Sequence, residues 1–180
     1  MRSASLVLLA YGLMLVLGVV WSALPIPVLG DTPPDVAAVT AGYLGLTARR
    51  GVAAAVGAAV ITGYLADLLA GAPRGLLALT AGIVCVSAIG VQRRILVRGW
   101  ALTAGFAAAT VTLAALASVV VRLALRGPVA GLGTELWGLV RLGVAAALLG
   151  PAIIRLYRRV DAAFARTHRE RDHALEGLAP

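Results

Sequence analysis

Apolar residues in this chain fall into six long runs, each closed by arginines or by glycine and proline. The runs cover residues 6–24, 36–48, 52–70, 76–91, 100–121 and 136–154. None alternates polar with apolar positions, so each predicts a helix. An open sheet edge would also leave backbone amides facing lipid. A helix needs about 20 residues to cross a bilayer. The second run falls short of that and must borrow flanking residues, thin the bilayer or be shielded by neighbours. The first run is long enough to be retained as a helix. The small residues in Trp21-Ser-Ala-Leu24 are all that favours a cleaved signal peptide.

The breaks between runs have their own chemistry. Pro33-Pro34 precedes the second run, where proline lacks only an amide that the first turn cannot use. Gly71-Ala-Pro-Arg-Gly75 reads as a tight turn between the third and fourth runs. The expected architecture is all-α, a polytopic membrane bundle of six transmembrane helices over residues 1–157. An arginine-rich tail follows over residues 158–180.

Composition sharpens this picture. Hydrophobic residues make up 61% of the chain and charged ones 13%, too few to coat a soluble core of this length. All 16 cations are arginine and the formal net charge is +8. A basic excess can mean nucleic acid, but these arginines sit at the ends of apolar runs, where they set topology against anionic lipid. With the N-terminus inside, 12 arginines fall in cytoplasmic segments and three (Arg74, Arg122 and Arg126) in outer loops. That asymmetry predicts an even number of spans with both termini cytoplasmic.

One arginine and one acid remain within the spans, Arg141 and Asp67. Asp67 lies roughly 6 Å inside the outer end of the third run and Arg141 roughly 9 Å inside that of the sixth. Intramembrane charges are expensive and seek partners, so the two are expected to face inward and pair, either as a structural tie or as a polar site. Gly51, Ala55, Ala59, Gly63, Asp67 and Gly71 recur every four residues. This row of small side chains is expected to pack another helix closely, within the bundle in preference to a partner.

Beyond the sixth run, residues 155–176 read as a continuing helix with Leu156, Val160 and Phe164 on one stripe, either interfacial or solvated. His168 and His173 fall on different sides of that helix, and no metal site is expected. Cys85 sits alone in an apolar run and reads as packing. With no lysine there is no phosphate-cradling loop, and HExxH and CxxC are absent. Both histidines lie in the tail, so no intramembrane Ser/His or Cys/His pair can form, and a single acid cannot make a carboxylate dyad. The expectation is a protein that is not an enzyme and needs no cofactor.

The segment Gly63-x-x-x-Asp67-x-x-x-Gly71, followed by Arg74-Gly75 and a Leu-rich helix, resembles the central motif of the MreD family of rod shape-determining membrane proteins. Pro34-Asp35 resembles the family's opening of its second helix, and Arg49-Arg50-Gly51 its basic break. The match is good over residues 34–98, while the last two spans agree only in hydropathy. The resemblance implies a non-catalytic scaffold of sidewall peptidoglycan synthesis in the bacterial inner membrane. Implied partners are an MreC-like bitopic protein and an elongation complex with a RodA-type glycosyltransferase, a penicillin-binding transpeptidase and MreB. The family is also distantly similar to the six-helix substrate-capture subunits of energy-coupling-factor transporters. The alternative is therefore a subunit that binds a small, vitamin-type molecule in an outer pocket.

Overall fold

In the computed structural model the chain forms six helices in the order α1 (Arg2–Ala23), α2 (Val36–Thr47), α3 (Val52–Ala70), α4 (Leu76–Gln92), α5 (Trp100–Ala124) and α6 (Leu132–Glu176). The structure describes residues 2–23, 33–48, 51–71, 73, 75–92, 94, 99–125 and 131–176. Among them there is no strand. Four stretches are long and apolar enough to cross a bilayer, Ser3–Ala23, Val52–Ala70, Trp100–Ala124 and Gly133–Arg166, which points to a membrane protein. The helices α2 and α4 are apolar but shorter.

The short second run finds its explanation in burial. α2 packs against all five other helices. Its residues from Val36 to Gly45 are all buried, so it is the axis of the bundle. Twelve residues give about 18 Å of helix, which suffices for an element enclosed by protein.

The interior is built from small side chains. Ala38, Ala41, Ala59, Ala81, Ala107 and Ala146 are almost fully buried, whereas Leu8, Val19, Val120, Leu136 and Leu148 point outward. That inversion suits lipid, where large aliphatic groups gain nothing by hiding and close backbone packing holds helices together. Gly45 is one such contact, since a Cβ there would sit 2.5 Å from the Cys85 carbonyl oxygen on α4. Gly42 faces α5 in the same way, 2.6 Å from Thr110 Cγ2. Hydroxyls inside the bundle bond to carbonyls of their own helices, as Thr62 does to Ala58 O and Thr112 to Ala108 O, both at 2.8 Å.

α6 begins earlier than the sequence pattern places it. The Gly131 carbonyl accepts from the amides of Thr134 and Glu135 at 2.9 and 3.1 Å, which draws residues 132–135 into the first turn. The helix then runs without a break past residue 157 to Glu176.

Candidate functional site

At one end of the bundle two acids hold helix starts. Asp35 is the N-cap of α2, its side chain accepting from Ala38 N at 2.9 Å. Burial pushes its carboxyl above the ordinary range, and the Ala38 and Ala37 amides pull it back. Asp67 does the same work across a turn. It sits in the last turn of α3, 2% exposed, and its two oxygens accept from Gly75 N at 2.9 Å, Leu77 N at 2.9 Å and Ala78 N at 3.3 Å. These amides open α4 and have no partner inside that helix. The turn itself is made by Gly71 and Gly75, both at positive φ (62° and 92°), where a side chain would be strained.

The structure therefore corrects the expected pairing of Asp67 with Arg141. α3 and α6 do not touch, and the Asp67 oxygens are occupied by amides of α4. The reason is local: α4 begins at a glycine with no side-chain cap, and the acid four residues before Gly71 reaches its open amides. Arg141 stands elsewhere. Its guanidinium carbon lies 5.3 Å from the centre of the Trp137 ring, and its buried Nε has no hydrogen-bond acceptor.

The small-residue row divides. Ala55, Ala59, Gly63 and Asp67 are buried, while Gly51 and Gly71 at its two ends are exposed. At Gly63 a Cβ would overlap the Leu77 carbonyl oxygen and come within 2.7 Å of Ala78 Cα. Gly63 is thus the point of close approach to α4, and Ala55 and Ala59 are buried inside the bundle. Pro34 is buried beside Asp35, and Arg74 lies outside the described residues.

A second polar cluster, which the sequence pattern does not announce, joins α2 to α6. The Thr40 hydroxyl donates to Val36 O at 2.7 Å and also meets the Tyr157 hydroxyl at 2.6 Å. Because the single Thr40 proton goes to Val36, Tyr157 is the donor in that second bond. Tyr43 donates to Asp161 Oδ2 at 2.5 Å, and the Tyr43 and Tyr157 rings lie 5.3 Å apart. Residues 157 and 161 are one turn apart on α6, as are 40 and 43 on α2, so the two helices are matched turn for turn. The tie carries α6 docking beyond residue 157, into the first turn of the arginine-rich segment. Replacing Tyr157 with Phe is expected to lower stability by about 1 kcal/mol, since Thr40 keeps its bond to Val36. A double-mutant cycle of Tyr157→Phe with Tyr43→Phe, read by denaturant titration in detergent, should couple by about 0.5 kcal/mol or more. Strict additivity would mean that the two hydroxyl bonds, Tyr157 to Thr40 and Tyr43 to Asp161, act independently.

Beside Asp35 there is a cavity of about 280 Å³ between α1, α2 and α3, bounded by Met14, Leu17, Pro34, Asp35, Ala66 and Leu77. Among the described residues its lining is mostly apolar, with the Asp35 carboxyl at its edge and no aromatic side chain. No family model, curated protein or solved structure matches the chain.

Proposed function

We propose that this protein is an MreD-like scaffold of bacterial sidewall growth. In this reading it crosses the inner membrane six times with both termini in the cytoplasm, does no catalysis itself, and acts with an MreC-like bitopic protein. The reading rests on one observation. The segment that resembles the family motif is also a tightly constrained helix junction. Gly63 lets α3 meet α4, Asp67 caps α4, and Gly71 and Gly75 make the turn. A sequence motif whose every fixed position has a mechanical duty is what a shared fold demands.

Orientation follows from charge. If the Asp35 and Asp67 end is outside, the ends of α2, α4 and the protruding part of α6 carry their arginines into the cytoplasm. The two short helices then span by burial within the bundle. The elongation-complex partners, a RodA-type glycosyltransferase, a penicillin-binding transpeptidase and MreB, would be reached through the bitopic protein or the arginine-rich cytoplasmic segments.

The cavity beside Asp35 favours a second reading, the substrate-binding subunit of a vitamin-type transporter. Its volume is near the lower end of those that enclose small ligands. The aliphatic character of its described lining weighs toward the scaffold. Depletion in the source bacterium separates the two. We expect loss of sidewall growth and rounding of cells, with co-purification of a bitopic protein. Normal morphology with loss of uptake of one vitamin, and co-purification of an ATPase module, would replace the scaffold with the transporter.

A further inference from the structure

Arg141 is a cation on a helix apolar enough to cross the bilayer, and among the described residues no acid is paired to it. We propose that Arg141 and Trp137 form a binding site for the phosphate of a phospholipid headgroup. The acyl chains would lie along the outer face of α6.

Three observations carry this. The first is direction. Side chains on a helix lean toward its N-terminus, and the Arg141 guanidinium lies against the ring of Trp137, one turn nearer the start of α6. The charge is thus lifted about 6 Å from its backbone depth toward the interface, the level at which tryptophan rings and headgroups meet. Near that interface Arg122 lies 3.9 Å from Glu135, so the nearby acid already has a cation of its own.

The second is unmet capacity. Guanidinium is a five-donor fork suited to two phosphate oxygens; the Arg141 side chain is only half-buried, and its enclosed Nε has no acceptor within the bundle. The third is the shape of the surface below it. Trp137, Val140, Val144 and Leu148 are all exposed and follow one another down the helix at three- and four-residue steps. These are large side chains, unlike the small residues that receive a second helix, and they offer a fatty-acyl chain a continuous apolar track beneath a cationic head. A phospholipid matches both parts at once.

The test is native mass spectrometry of the full-length protein in detergent, titrated with phosphatidylglycerol, phosphatidylcholine or inorganic phosphate. The expected result is one retained phosphatidylglycerol, held more tightly than phosphatidylcholine and not displaced by millimolar phosphate. In Arg141→Gln its affinity should fall about tenfold, and Arg141→Lys should restore part of it. Equal retention by Arg141→Gln would overturn the proposal, and so would displacement by inorganic phosphate. If Arg141→Gln is poorly folded, a photocrosslinking amino acid at position 140 in the otherwise native protein decides the matter in cells. A lipid-sized adduct agrees with the proposal, and a discrete protein adduct would assign the face to a partner helix instead.

Discussion

Alanine at position 63 is expected to abolish accumulation of the folded protein, although the change adds only one methyl group. A Cβ at Gly63 meets the backbone of α4, the Leu77 carbonyl and Ala78 Cα, and backbone cannot rotate away as a side-chain tip can. The two helices would have to part. That would loosen the α3–α4 contact, where Val60 also meets Gly82, and carry Asp67 away from the amides it caps. Overpacking a tight core costs about 1–3 kcal/mol, and the lost cap adds to that, which together approach the whole stability of a small membrane bundle. Gly57→Ala on the same helix is the control. A Cβ at Gly57 meets nothing within 4 Å, so alanine there should be neutral or gain up to about 1 kcal/mol from helix propensity. Protease resistance and thermal melting of both variants in detergent measure the contrast. Equal behaviour of the two would refute the close approach of α3 and α4.

The second large effect belongs to Asp67. Alanine there strips the acceptor from three amides at the start of α4, one buried and two partly buried, and a buried orphaned donor costs about 1–3 kcal/mol. The costs overlap, because the helix can fray, so we expect a net loss of about 3 kcal/mol or more. Asparagine is not a conservative replacement. Both Asp67 oxygens are in use, one on Leu77 and the other on Gly75 and Ala78, and a carboxamide turns an NH2 group toward one of these donors. Asp67→Asn should therefore fall between wild type and Asp67→Ala. The double variant Asp67→Ala/Arg141→Gln should be additive within about 0.5 kcal/mol, since α3 and α6 do not touch. Strong coupling between the two would restore the ion pair that the fold denies.

Much of the fold was legible because a membrane helix carries its signal in one dimension. The positions of the six runs follow from hydropathy, and the breaks at Arg49-Arg50-Gly51 and at Gly71 to Gly75 from arginine, glycine and proline. The role of Asp67 was half legible. Its depth and its cost were plain, but the cost was assigned to an opposite charge when backbone dipoles could meet it equally well. The clue was available: α4 starts at Gly75 without Ser, Thr, Asp or Asn to cap it, and an unexplained acid stands one turn before Gly71. The tie between α2 and α6 was not legible. Thr40, Tyr43 and Tyr157 are unremarkable in composition, and their meeting depends on how two helices far apart in sequence rotate against each other. Asp161 looked like one more charge in a solvated tail, and its bond to Tyr43 ties it to the bundle.

The central position of α2 also has a consequence in time. A ribosome releases α2 second, but the Tyr157 hydroxyl that meets Thr40 is encoded 117 residues later. At elongation rates of about 5–20 residues per second, that is a wait of roughly 6–23 s. Throughout it the short helix stands in or beside the translocon with the Tyr43 hydroxyl lacking its Asp161 acceptor. α3, α4 and α5 arrive first and wall it in, and α6 closes the last side. The bundle is therefore completed from its last helix inward, so that the axis of the finished protein is among the last of its parts to be secured.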